Sequence, residues 1–329
     1  MIGRLGSGGA GDIEHRSGLT VDEHRVRIAV VPELRNVRVA AIQATPVILD
    51  AEASVSKAVR LLEEAAGGGA ELAVLPETFV PLYPSNRWAR GAAAFGGWDE
   101  LWERLHANAV DVPGPLVDVL VAACKRAKLH AVVGINERAG GTLYNAYLLL
   151  GPGGLLHHHR KLMPTQHERL FHGIGAGNDL QPVDTPVGRV GGLICWENRM
   201  PLARWAVYTS HPPAPQIWVA PTADDSDGWL ASIRHIAIES GAFVVSVPQY
   251  IPGSAFPADF PAEIEADHVY GRGGAAVVEP TWGDVIAGPL YDTEGILYAD
   301  CDLRIGLHAK RWFDAVGHYS RTDVLSPTP

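Results

Sequence analysis

Three residues, each at the end of a short run of strand-like sequence, have the types needed for covalent chemistry: Glu77, Lys161 and Cys195. Glu77 follows Leu72-Ala73-Val74-Leu75-Pro76, Lys161 follows the run from Leu155 to Arg160, and Cys195 follows Gly191-Gly192-Leu193-Ile194. Carboxyl ends of strands are where α/β sheets gather their ligands. A cysteine between a strand end and a helix start meets backbone N–H groups and the positive end of the helix dipole, both of which favour thiolate. Asn198 is expected to cap that helix, which would run from Pro201 to Tyr208 with proline in its first turn. A free thiol titrates near about 8.5, so little of it is thiolate at neutral pH. A carboxylate near about 4.3 takes its proton uphill by roughly four pK units, about 6 kcal/mol. The carboxylate then faces a new thiolate, and a lysine ammonium between them offsets the repulsion. The same ammonium, with the backbone N–H of Trp196, can stabilise negative charge developing on a substrate nitrogen or oxygen. Composition and spacing leave a second reading open, in which Glu77 and Lys161 are surface charges and Cys195 is an inert core thiol.

The elements that must position these residues are legible as alternating helices and strands. Val37 to Ile42 is the first core strand, and Asp50 caps a helix with Val55, Ala58, Val59, Leu62 and Ala66 on one face. Gly67-Gly68-Gly69 stops it, and Leu72 to Leu75 reads as a central strand, apolar on both faces. Trp98, Leu101, Trp102 and Leu105 share a helical face, and Leu116 to Lys128 is a clearer helix that puts Cys124 in the core. Strands are expected at Ala131–Ile135, Tyr144–Leu150 and Leu155–His159, the last two joined by a turn at Gly151-Pro152-Gly153-Gly154. Beyond Cys195 come a strand at Gln216–Ala220, a helix from Trp229 to Ser240 and a strand at Phe243–Val247. Late, partly antiparallel strands follow at Ala275–Glu279, Val285–Ala287 and Gly295–Asp302. Gly271-Arg272-Gly273-Gly274 reads as a turn. Residues 1–24, Gly-rich and without apolar periodicity, read as a mobile arm, and 25–329 as a single α/β domain.

Composition removes several function classes. Hydrophobic content of 47% against 19% charged residues supports a sizeable core and excludes global disorder. A net charge of −10 without a basic run argues against nucleic acid and anionic membranes as partners. No apolar run approaches the roughly 18 residues of a membrane helix, and the N-terminus lacks a signal-peptide core. Three scattered cysteines suggest neither a disulfide framework nor a zinc knuckle, so a cytoplasmic protein is expected. His157-His158-His159 invites a metal site, but consecutive strand residues point to opposite faces, and no metal is expected.

The strings Leu75-Pro76-Glu77-Thr78-Phe79, His159-Arg160-Lys161-Leu162-Met163-Pro164-Thr165 and Gly192-Leu193-Ile194-Cys195-Trp196-Glu197-Asn198 resemble, in order, the three signature regions of the nitrilase superfamily. The similarity runs from about Val37 to Leu325, and Cys-Trp-Glu-Asn points to the true-nitrilase branch rather than the amidases. The resemblance implies a four-layer α-β-β-α sandwich and cysteine attack on a nitrile carbon, with release of ammonia and a carboxylic acid through a thioimidate and a thioester. It implies Glu77 as general base, Lys161 as charge stabiliser, Cys195 as nucleophile and Glu168 as an auxiliary acid that positions Lys161 and water. No metal or organic cofactor is implied, and the family's habit of pairing through sheet-flanking helices implies a homodimer or larger assembly. The chain departs from the family around the pocket: Ser85-Asn86-Arg87-Trp88 follows Tyr83-Pro84, and His172 stands where many nitrilases carry tryptophan. Tyr83, His172 and Trp196 are the candidate pocket residues. Amide or cyanide hydrolysis within the same superfamily, or a non-enzymatic scaffold on the same fold, are the rival readings.

Overall fold

Strands apolar on both sides must be covered on both sides, and here that requirement produces layers. The computed structural model describes residues 34–85, 87–88, 96–210 and 214–325; the expected arm at 1–24 lies outside them. The chain starts with β1 (Asn36–Gln43), α1 (Ala51–Gly67), β2 (Leu72–Val74), α2 (Trp98–Ala107), β3 (Val110–Asp111) and α3 (Pro115–Ala127). It continues with β4 (His130–Ala139), β5 (Thr142–Gly151), β6 (Gly154–Arg160), β7 (Val183–Thr185), β8 (Gly188–Gly192) and α4 (Pro201–Thr209). The last part holds β9 (Ile217–Thr222), α5 (Asp227–Ser240), β10 (Phe243–Pro248), β11 (Tyr250–Pro252), β12 (Val269–Val278), β13 (Val285–Tyr291), β14 (Gly295–Asp302) and α6 (Leu303–Ala309).

The strands form two sheets, one ordered β14-β1-β2-β4-β5-β6 with β3 beside β4, the other β11-β12-β10-β9-β8-β7 with β13 beside β12. Parallel pairs occupy the middle of each, β1 with β2 and β2 with β4 in the first, β8 with β9 and β9 with β10 in the second. Alternate residues of β1 show how the sheets stack. Val37, Val39 and Ala41 join Val219, Val245 and Val277 in a core between the sheets, while Ala40 and Ile42 pack with Val55, Leu62 and Leu120 of α1 and α3. On the far side, Trp218, Ala220 and Val244 pack with Val207 of α4 and with Trp229 and Ile233 of α5. Three apolar seams therefore separate four layers, helices, sheet, sheet and helices, as the resemblance implied. Among the described residues no helix is long and apolar enough to cross a membrane.

The caps and breakers work locally as their chemistry predicts. Asp50 accepts a hydrogen bond from the Ala53 N–H at 2.9 Å, and α1 ends at Gly67 with Gly68 as its cap. Gly271 to Gly274 is not a turn. These residues lie inside β12, where the pairing with β13 slips and the Gln43 amide oxygen accepts from the backbone N–H groups of Gly274 and Ala275 at 2.8 and 2.9 Å. A long-range side chain fills that bulge, so a short glycine run had no means of revealing it. β3, β7 and β11 were not anticipated either, because their two or three residues lack the continuous apolar run that marks β2.

Two glycines mark where backbones approach too closely for a side chain. A Cβ at Gly134 would lie 2.1 Å from the Pro76 carbonyl oxygen, and one at Gly192 would lie 1.9 Å from that of Val219. Gly134→Ala and Gly192→Ala are expected to lower stability by about 1–3 kcal/mol or more through forced backbone shifts. Gly141→Ala, with nothing within 4 Å, should leave it nearly unchanged. Thermal melts of the three variants check this, and equal melting temperatures would contradict it.

Candidate active site

Each of the three reactive residues sits on a turn held from behind. The chain leaves β2, and Glu77 is followed by Thr78 in the left-handed region at φ 42°, over the space that Gly134 leaves open. The Glu77 carbonyl accepts from Gln249 Nε2 at 2.8 Å. Lys161 directly follows β6, and its N–H donates to the Asn145 carbonyl at 2.8 Å. Cys195 has φ 50° and opens a five-residue 3-10 turn, Cys195–Arg199. A non-glycine residue there is strained, which is the mark of a nucleophile elbow. Asn198 staples this turn by donating to the carbonyls of Leu193 and Cys195 at 2.8 and 2.9 Å while accepting from Trp218 Nε1 at 2.7 Å. It does not cap α4, whose cap residue is Met200, so the thiol lies a full turn ahead of that helix.

Lys161 and the two carboxylates form one buried group. Lys161 Nζ donates to Glu77 Oε1 and to Glu168 Oε2, both at 2.7 Å, and all three side chains have zero exposure. Asn145 Nδ2 bridges the same carboxylates, 2.7 Å from Glu77 Oε1 and 2.8 Å from Glu168 Oε1. The two acids differ in what else they accept. Glu168 also receives the Tyr83 hydroxyl at 3.1 Å, the Thr165 N–H at 2.7 Å and His172 Nδ1 at 3.2 Å. Glu77 Oε2 has no hydrogen-bond partner among the described residues.

The electrostatics follow this asymmetry. Burial pushes the Glu77 carboxyl up and the nearby Glu168 adds to it, against the pull of Lys161. Burial acts the same way on Glu168, but Lys161 and His172 outweigh it and hold that carboxyl well below the usual range. Burial opposes the Lys161 charge, and Glu168 and Glu77 more than restore it, so the ammonium is kept. Two carboxyls pushed apart in this way separate the roles: Glu77 is the one able to take a proton, and Glu168 is the fixed charge. Burial and Glu77 push the Cys195 thiol up to about 12, against Lys161 and hydrogen bonds from Thr222 and the Ala223 backbone. The thiolate favoured by a helix terminus is thus not the resting form. At Cys195, 3% exposed, burial wins, and the proton must leave as the sulfur attacks.

A second buried network fixes the spacing between Lys161 and Cys195. His159 lies between Glu197 Oε2 at 3.0 Å and Asp179 Oδ2 at 3.1 Å. Asp179 accepts from the Arg160 N–H at 3.0 Å, and Glu197 accepts from the N–H groups of Leu162 and Ile194, the latter at 2.8 Å. Both neighbours of Lys161, and the residue before Cys195, are therefore tied to one histidine.

The predicted pocket residues fare differently. Tyr83 lines a narrow cleft with Leu82, Trp88, Ala223, Gln249, Ile251 and Tyr270, and its ring lies 5.5 Å from Lys161 Nζ. Ala223 and Gln249 each bond a reactive residue, so this cleft reaches the site. Neither this cleft nor the wider ones of about 700 Å³ beside Arg87 and about 710 Å³ beside the start of α1 has Glu77, Lys161 or Cys195 in its walls; the narrow cleft meets the site through Tyr83, whose hydroxyl bonds Glu168. His172 does not line the cleft; it is buried behind Glu168, with Nε2 2.6 Å from Asn136 Oδ1. Trp196 turns outward, 41% exposed, with Nε1 donating to Asp224 Oδ2 at 2.7 Å and Arg199 over its ring. Neither side chain lines that cleft: His172 is taken up by Glu168 and Asn136, and Trp196, which follows the strained nucleophile, turns toward Asp224. Sequence reasoning missed Asn145, Thr222, Ala223, Gln249 and the His159 network. Asn145 had a signal, a polar amide inside an otherwise apolar strand; the others had none.

The sequence profile of the carbon-nitrogen hydrolases matches residues 38–306. The chain belongs to that family. It is 45% identical to an aliphatic nitrilase of Sinorhizobium fredii over 88% of this chain and 94% of that one. It is 42% identical to nitrilase 2 of Arabidopsis thaliana (89% and 88%) and 42% to a bifunctional nitrilase/nitrile hydratase of Nicotiana tabacum (88% and 85%). Within the family, the chain falls in the nitrilase branch. Among solved structures, a carbon-nitrogen hydrolase of Helicobacter pylori matches with a TM-score of 0.68 at 20% identity over 88% of this chain and 97% of that one. A carbon-nitrogen hydrolase superfamily protein of Xanthomonas campestris matches at 0.67 and 18% over 84% and 95%. Both show the fold.

The His159 network has a pH signature. Burial opposes the charge on this ring, but Glu197 and Asp179 outweigh it and push its pKa up to about 9 from the ordinary 6.5. Stability from it is full below the unfolded value and is lost as pH rises from about 6.5 through about 9, on the order of 3 kcal/mol in all. Thermal melts should show His159→Gln flattening that alkaline decline; a decline of unchanged size in the variant would refute the account.

Proposed function

We propose that this chain hydrolyses an organic nitrile to a carboxylic acid and ammonia. The observation that carries the proposal is a buried thiol beside a carboxyl that shares an ammonium and has one oxygen unpartnered among the described residues. Cys195 Sγ attacks the nitrile carbon as its proton passes to Glu77 Oε2. The nitrogen gains the displaced electron pair, stabilised by Lys161 and by the Trp196 N–H, and takes a proton to give a thioimidate. Water adds to that carbon with Glu77 as base, and breaking the C–N bond releases ammonia and leaves a thioester. A second water breaks the C–S bond, freeing the acid and returning the proton to sulfur. The sum is one nitrile and two waters to one acid and one ammonia. If the C–S bond breaks first, the product is the amide, a reading favoured by the likeness to the bifunctional Nicotiana protein.

Around this centre we infer a cytoplasmic homo-oligomer. Three cysteines, all buried and unpaired, suit a reducing compartment. Leu202 on α4, with Tyr319 and Leu325, exposes more than half of each side chain around one apolar cleft. Light scattering should give a multiple of the 35.2 kDa chain mass, and a monomer would overturn that part.

Cys195→Ala should lower ammonia release from nitriles by at least about 1,000-fold while leaving the fold intact, because it removes the nucleophile from a site whose charges stay paired. Glu77→Gln should lose activity to a similar extent, and Lys161→Ala should lose both activity and stability, since two carboxylates stay buried without their cation. Ammonia assays over aliphatic, aromatic and arylacetic nitriles and cyanide, with acid and amide both quantified, check this. Full turnover by Cys195→Ala would defeat it.

A further inference from the structure

We propose that His172 is held as an imidazolium donating at both ring nitrogens, to Asn136 and to Glu168, and that it acts as the positioning residue keeping Glu168 ionised beside Lys161. The chain of donors can be followed without ambiguity. Asn136 Nδ2 donates to the Leu82 carbonyl at 2.7 Å, and the Asn136 N–H donates to the Val80 carbonyl at 2.7 Å. Turning the amide over would set two oxygens against each other, so Oδ1 is the atom that faces His172. Nε2, 2.6 Å from that oxygen, must carry a hydrogen. Nδ1 then faces Glu168 Oε1 at 3.2 Å. In the neutral ring this nitrogen would present a lone pair to a carboxylate, which is repulsive.

Only a proton on Glu168 or a second one on the ring relieves that contact. Glu168 Oε1 already accepts from Asn145 at 2.8 Å, and Oε2 accepts from Lys161, Tyr83 and Thr165. A carboxyl with so many donors stays a carboxylate. The proton therefore belongs to the ring, whose side chain has zero exposure. The other titratable groups at Glu168 are Lys161 and Tyr83, with Glu77 and Cys195 next to them. Glu137, next to Asn136 on β4, is bonded instead to His158 and Arg160. This account deepens the nitrile-hydrolysing reading above, but its protonation claim stands apart from catalysis.

The test therefore has two arms on the full chain. In ring-nitrogen NMR of the histidine-labelled protein at neutral pH, both His172 nitrogens should show imidazolium shifts. The signal is identified by its loss in His172→Gln, or by its displacement in Asn136→Ala if the first variant does not fold. In steady-state kinetics, His172→Gln should lower kcat by about 10- to 100-fold with KM little changed, since the contact lies behind the reacting groups. A bare nitrogen at neutral pH, or a folded His172→Gln protein with the wild-type kcat, would overturn the proposal. Absence of nitrile turnover together with imidazolium shifts would sink the hydrolytic reading and leave this one standing.

Discussion

The constraint on which the rest depends is that an ammonium with no exposure must be matched charge for charge. Lys161 cannot be buried alone, because an isolated ion in a low-dielectric interior costs several kcal/mol even after relaxation. Two carboxylates solve that and create the opposite problem, a net negative charge in the same space. The structure answers with donors distributed unequally. Glu168 takes nearly all of them, and Glu77 keeps one oxygen without a partner among the described residues. The functional property of the site, one acid that can titrate beside one that cannot, is thus a consequence of how the interior balances its charges.

The layers exist to hold that group at fixed separation. Its members come from residues 77, 161, 168 and 195, which no local element could bring together. Parallel strands at the centre of both sheets deliver their carboxyl ends to one side, and close backbone approaches at Gly134 and Gly192 set the turns there. The His159 network then links the strand carrying Lys161 to the turn carrying Cys195 through two carboxylates. A rigid clamp of this kind keeps a nucleophile and a cation in register without requiring either to move.

Burial also explains why Cys195 is quiet until substrate arrives. A thiol held up near 12 is a poor target for stray oxidants and electrophiles, whose reaction needs thiolate. Proton transfer to Glu77 becomes favourable only as negative charge moves onto the substrate and is met by Lys161. That is transition-state stabilisation rather than a reactive ground state.

Local sequence determined what depends on neighbours along the chain. The period of α1 and its Asp50 cap, the doubly apolar β2 and β4, and the strand-end positions of Glu77, Lys161 and Cys195 were all readable, because helix and strand periods are properties of short segments. Tertiary structure decided everything that depends on partners far away in sequence. Asn198 left its expected capping role for the carbonyls beside Cys195, and Gly271 to Gly274 became a bulge around Gln43. His172 and Trp196 left the pocket, one for Glu168 and the other for Asp224. Hydrogen bonds and charge pairs in an interior are satisfied by whichever group the fold brings within about 3 Å, and that neighbour has no fixed offset in the chain.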